Sequence, residues 1–232
     1  GLQCPGPIMK LKKVFDTADS GNVYEVLATD PGFAKDVVSW CNMTGNKLID
    51  VASNAGKISA IIEKAEQKKT SVQRNTQNGA SFVVFSDDLD KALATFVLAN
   101  GAASSGKKVT LFFTFWGLNI IKKTEKPSVK KDIVSRMFEM MMPTNSKKLA
   151  LSKMNMFGIG AKMMRNQMKN KGVASLEQMM KDAQENGVEF VACQMSMDVM
   201  GVKREELLDE VSVGGVATYM ERAEDANVNL FI

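Results

Sequence analysis

The strongest constraint on this chain's fold is the alternation, over its last two thirds, of short apolar runs with helical stretches. Ser81 to Phe85 reads as an apolar strand, Leu89 to Ser104 as a helix, and Lys108 to Phe115 as a second strand. Val188 to Cys193 and Val228 to Phe231 read as further strands, with helices over Ser175 to Glu185 and Gly215 to Ala226. Strands separated by helices predict a parallel sheet with helices on both faces.

The first segment has a different rhythm. Pro5 to Ala18 predicts a helix with Ile8, Leu11, Val14 and Phe15 on one face. Val23 to Ala28 predicts a strand. Asp30-Pro31-Gly32 is a turn leading into a helix over Phe33 to Met43. Lys47 to Ala52 and Lys57 to Glu63 predict two strands around the turn Ser53-Asn54-Ala55-Gly56. Helix, strand, helix, strand, strand predicts a small two-layer α/β sandwich. The expected boundaries are 1–65 for this domain, 66–79 for a polar linker, and 80–232 for a flavodoxin-like or Rossmann-like parallel-sheet domain.

Gly117 to Gly187 breaks this economy. The stretch contains no strand signal yet holds eleven of the chain's 17 methionines, and Pro143-Thr144-Asn145 divides it. A compact α/β crossover is far shorter, so a Met-rich helical insert at about 118–174 is expected. Its methionines read first as core filler and second as an adaptable apolar surface for a partner. Lys122, Lys123, Lys126, Lys130 and Lys131 read as a solvated face, or as one lying against a membrane surface.

Composition excludes much chemistry. The chain has no histidine, which removes Ser-His-Asp triads, Cys-His pairs and His-ligated metal sites. The three cysteines, Cys4, Cys41 and Cys193, form no Cys-x-x-Cys. No metal and no cofactor are expected. No apolar run is long enough to span a bilayer. Cys4-Pro5-Gly6-Pro7, with charges soon after, does not read as a signal peptide, so a cytoplasmic location with reduced thiols is expected. A net charge of +4 and 7 % aromatic residues argue against nucleic acid.

Single thiols are therefore the candidates for covalent chemistry. Cys4 stands immediately before the first helix, where unpaired N–H groups and the helix dipole favour a thiolate by roughly 0.3–2 kcal/mol. Pro5 suits the first helical position. Pro7 has no N–H, which leaves Gly6 and Ile8 as donors to the sulfur, and Gly6 keeps it sterically open. Lys10, Lys12 and Lys13 add positive charge if they turn toward it. Composition and spacing alone also allow Cys4 to be an incidental residue near a terminus.

Cys193 ends a predicted strand. Ligands of open parallel sheets bind beyond the carboxyl ends of the strands. There Cys193 is expected to meet Ser86, Asp87, Thr114 and Trp116 in a candidate pocket; the alternative is a strand cysteine packed as a small hydrophobe. Cys41 reads as core, and Asp87 and Asp88 as helix N-caps.

Gly1-Leu2-Gln3-Cys4-Pro5-Gly6-Pro7, followed by Lys12-Lys13, resembles the Cys-Pro-x-Pro signature of the TusA/SirA sulfur-carrier family. The resemblance implies that Cys4 carries sulfur as a persulfide. It also implies a strand before the motif, for which no residues remain ahead of Gly1. The second segment resembles the DsrE/DsrF-like family in Phe85-Ser86-Asp87-Asp88, Phe113-Thr114-Phe115-Trp116-Gly117-Leu118 and Ala192-Cys193-Gln194-Met195-Ser196-Met197-Asp198. That implies sulfur exchange at Cys193 and assembly as a homo-oligomer. The pairing resembles the C-terminal part of longer flavin-dependent disulfide reductases with a rhodanese module.

Three readings follow. The first is a cysteine persulfide relay of the sulfurtransferase type, working with sulfur-donor and sulfur-acceptor proteins. The second is a non-catalytic binding or regulatory module that oligomerises through the second domain. The third is a structural scaffold.

Overall fold

The computed structural model describes residues 6–29, 33–66, 78–125 and 127–232. Cys4, Pro5, the turn at 30–32, most of the expected linker and Lys126 lie outside them.

The first unit runs α1 (Gly6–Thr17), β1 (Val23–Ala28), α2 (Phe33–Thr44), β2 (Lys47–Asn54) and β3 (Lys57–Glu63). Its sheet has the order β1-β3-β2, antiparallel at both pairings. The physical cause is alternation. In β3, Ile58, Ala60 and Ile62 point inward, while Lys57 and Ser59 on the other face do not. Both helices pack on that inward face. Ile8, Leu11 and Phe15 of α1, and Phe33, Val37, Trp40 and Cys41 of α2, share one core with the three β3 residues. The β2–β3 turn needs two left-handed residues, and Ala55 and Gly56 take φ values of 48° and 74°.

The second unit begins with β4 (Gly79–Val84), α3 (Leu89–Ser104) and β5 (Lys108–Phe113). After a 3-10 segment over Phe115–Ile121 come α4 (Ile133–Met141), α5 (Ile159–Asn170) and α6 (Leu176–Glu185). The chain closes with β6 (Glu189–Cys193), α7 (Gln194–Met200), β7 (Ser212–Gly214), α8 (Val216–Glu224) and β8 (Ala226–Phe231). The five strands are parallel in the order β7-β6-β5-β4-β8.

One face of this sheet carries the main core: Phe82, Leu111, Phe113 and Phe190 against Leu89 and Phe96 of α3 and Leu176 and Met179 of α6. The opposite face carries α8. There Tyr219 packs on Phe112, Val191 and Cys193, and Arg222 forks onto both oxygens of Glu189 at 2.8 and 3.3 Å. Most of β8 is exposed, so the second face is less covered than expected.

Three expectations need correction. The methionines of the insert are mostly not core. Met137, Met140, Met141, Met154, Met156 and Met163 are exposed, and α4 buries no residue. Met142, Met179 and Met180 are buried. The basic run is not a solvated face throughout. Lys122 is 7 % exposed, and the Lys131 side chain is 2 % exposed between Glu206 (2.7 Å) and Glu139 (3.3 Å). Asp88 stands at the N-cap position of α3 without capping it; its carboxylate accepts from Ser86 Oγ and pairs with Lys91 at 2.8 Å.

The two units touch directly. Trp40 Nε1 donates to Ser104 O at the end of α3 (2.5 Å), and Lys13 reaches Glu185 at 3.5 Å. Trp40→Phe keeps an aromatic ring against Phe15 and removes the donor from a buried carbonyl. It is expected to cost about 1–2 kcal/mol, read as a lowered urea midpoint at unchanged slope.

Candidate functional site

The C-terminal rim of the parallel sheet is built by close backbone approach. Thr114 N donates to Val84 O (3.0 Å) and Gly117 N to Phe85 O (2.8 Å). These bonds bind the segment after β5 to the end of β4. A Cβ on residue 117 would lie 2.0 Å from Val84 O, so only glycine fits. Phe115 takes a positive φ of 47° and its ring meets Phe85.

On this rim Cys193 closes β6 and stands at the N-cap of α7, in extended backbone. It is 6 % exposed and packs with Phe112, Val191 and Tyr219. Thr114 and Ser196 share a buried hydroxyl–hydroxyl hydrogen bond of 2.7 Å, which ties the end of β5 to the helix that begins directly after Cys193. Ser86 is bonded to Asp88, and Asp87 accepts from Asn119 Nδ2 at 2.8 Å. Burial pushes the Asp87 carboxyl above its usual range against the opposing pull of that bond. Trp116 is exposed.

The rim residues named from sequence are thus held by three separate contacts. Ser196, Asn119 and Tyr219 complete them and were not foreseen. The only sequence signal was the position of Ser196, three residues after Cys193.

At the other end of the candidate chemistry, α1 includes Gly6 and Pro7 of the motif, Gly6 being the first described residue. Cys4 itself lies outside the described residues. Gly6 and Met9 line a cavity of about 540 Å³ together with Leu89, Leu93, Met168 and Leu176 of the second unit. Lys12 is paired with Asp16 at 2.7 Å and Lys13 with Glu185. Cys41 is buried, and burial raises its thiol pKa to about 11, so it stays protonated at neutral pH. Among the described residues no cluster of Cys, Asp and Glu could hold a metal ion.

Burial dominates at Lys122 as well, lowering its pKa from 10.5 to about 8 against the pull of Glu206. Between these values the unfolded chain holds a proton that the folded chain has released. Stability should therefore rise with pH over that window, by up to about 3 kcal/mol. Cys41 contributes the opposite slope above pH 9, so the comparison that isolates Lys122 is with Lys122→Met. Urea unfolding across this range should show the gain in the parent chain and not in the variant.

Family models match both units. Residues 76–231 match the DsrE/DsrF/DrsH-like family, and residues 1–64 match the model described as sulfurtransferase TusA. The uncharacterized protein YrkE of Bacillus subtilis is 49 % identical over 152 residues, 66 % of this chain and 95 % of that protein. The sulfur carrier protein DsrE2 of Allochromatium vinosum is 35 % identical over 160 residues, 67 % of this chain and 99 % of its own. The sulfur carrier protein TusA of the same organism is 42 % identical over 65 residues, 28 % of this chain and 86 % of its own. The two family matches fall one on each unit, and together they place the chain: it belongs to the DsrE/DsrF/DrsH-like family, with a TusA-family segment ahead of that domain.

Proposed function

We propose that the chain carries sulfane sulfur on its thiols, with Cys4 as the carrier and Cys193 as a second acceptor or donor. The observation that carries this reading is that both units match families with named sulfur carriers, and each unit brings one cysteine at a candidate site. The step is a thiol exchange. The acceptor thiolate attacks the terminal sulfur of a donor persulfide, a new S–S bond forms, and the donor leaves as a thiolate. One bond is made and one broken, so no external oxidant or reductant is needed, and no histidine is required.

Sulfur-donor and sulfur-acceptor proteins are the partners this reading calls for, in a reducing compartment such as the cytoplasm. Among the described residues no helix is long and apolar enough to cross a membrane. Assembly of several copies is part of the proposal, because β8 leaves Val228, Leu230 and Phe231 exposed at the sheet edge.

The test is discharge. The chain is exposed to polysulfide, freed of donor, and offered a small thiol acceptor. Cys4→Ser should lower sulfur delivery by at least roughly tenfold. Cys193, being 6 % exposed, should load more slowly than Cys4, so Cys193→Ser should change the rate and keep the capacity. Delivery unaffected by either substitution would exclude the relay and favour a binding module that assembles through the second unit.

A further inference from the structure

The insert displays an apolar tip that the isolated chain does not use. Met154, Met156 and Phe157 are 81 %, 66 % and 108 % exposed, and Ile159 and Met163 continue the exposed apolar row into α5. The tip is fixed in place. Ser152 donates through N and Oγ to the two oxygens of Asp90, at 2.9 and 2.5 Å. Asn155 Oδ1 accepts from Leu151 N, and Asn155 O accepts from Gly158 N and Gly160 N at 2.8 and 3.0 Å. A Cβ on residue 160 would lie 2.1 Å from Met154 O, so the loop closes tightly on a glycine.

Held this way, Met154, Met156 and Phe157 take φ values of 58°, 42° and 56°. That region is unfavourable for large side chains, and strain of this kind clusters at functional surfaces. These three residues gain no burial in return.

Charge identifies what the tip meets. Between Glu139 and Glu177 the sequence has no Asp or Glu and seven Lys or Arg. Lys147, Lys148, Lys153 and Lys162, which flank the tip along the chain, are all exposed. We propose that this tip docks peripherally on an anionic lipid bilayer, Met154, Met156 and Phe157 entering the headgroup–acyl boundary and the lysines meeting lipid phosphates.

Two other occupants fit less well. A second copy would bring basic face to basic face. The core of a protein interface takes Met and Phe but is depleted in Lys, whereas lysines flank this tip on both sides along the chain. Lipid phosphates accept lysines without a fixed geometry, and unbranched methionines adapt to acyl chains.

The experiment is flotation of the full chain with phosphatidylglycerol-rich vesicles and with phosphatidylcholine vesicles. Met156→Gln/Phe157→Asn removes the apolar tip, and Asn tolerates a positive φ; Lys153→Glu/Lys162→Glu reverses the flanking charge. The parent chain should float with the anionic vesicles at low salt and far less with the zwitterionic ones. Each double variant, with thermal unfolding unchanged, should bind at least roughly tenfold more weakly. No binding to anionic vesicles overturns the proposal. Equal binding by the tip variant overturns it in favour of a purely electrostatic attachment. Self-association abolished by the tip variant, with no vesicle binding, assigns the face to a second copy. None of these outcomes depends on the thiols, so the sulfur-carrier reading stands or falls separately.

Discussion

Gly117→Ala is expected to destabilise the second unit by about 3 kcal/mol or more, although it adds a single methyl group. The added carbon would sit 2.0 Å from Val84 O and 2.8 Å from Val84 C. Both atoms belong to the backbone of β4, which lies between β5 and β8 and has no side-chain rotamer to relieve the clash. Val84 O also accepts from Thr114 N, so moving it shifts Thr114 and through it the hydroxyl bond to Ser196. The denaturant midpoint should fall sharply. Gly101→Ala is the control. It lies within α3 with nothing near the added carbon, and alanine there should stabilise by about 0.5–1 kcal/mol.

Lys131→Met should cost about 3–5 kcal/mol, the range for removing one partner of a buried ion pair. Lys131 Nζ lies 2.7 Å from Glu206 and 3.3 Å from Glu139, and its side chain is nearly sealed from water. Without it, two poorly exposed carboxylates each lose an ion-pair partner. Glu206 also accepts from Lys203 N at 2.7 Å, so the strain passes to the turn before β7. Lys131→Met/Glu206→Gln should recover part of the loss, because the variant buries one less uncompensated charge. A double-mutant cycle on urea midpoints measures this. A cost under about 1 kcal/mol for Lys131→Met, the range of solvent-screened pairs, would contradict the buried network.

Much of the fold was legible because local pattern and tertiary role agree. Ile58, Ala60 and Ile62 alternate in sequence and face one core. Leu89 and Phe96, spaced two helical turns apart, are both fully buried in α3. Where the pattern is silent, the reading failed. β7 is three residues, Ser-Val-Gly, and exists through pairing with Val191 to Cys193. The exposed methionines misled because an unbranched apolar side chain suits a helix whether or not a neighbour covers it. Lys131 misled because its partner Glu206 lies 75 residues away along the chain, and Lys122 because it pairs with Leu207, farther away still.

The site divides in the same way. Cys193 at a strand end and a helix over Gly6–Thr17 could be read from short-range order. The Thr114–Ser196 and Asp87–Asn119 bonds could not, since they join residues 82 and 32 apart that only the folded sheet brings together.

The sulfur-carrier account is tested most directly by exposing the reduced full chain to a persulfide donor and locating the added sulfur by peptide mass spectrometry. The account predicts one added sulfur on the Cys4 peptide, lost in Cys4→Ser, with a lesser amount on Cys193 and none on buried Cys41. A folded chain that gains no sulfur on Cys4 or Cys193 would contradict it.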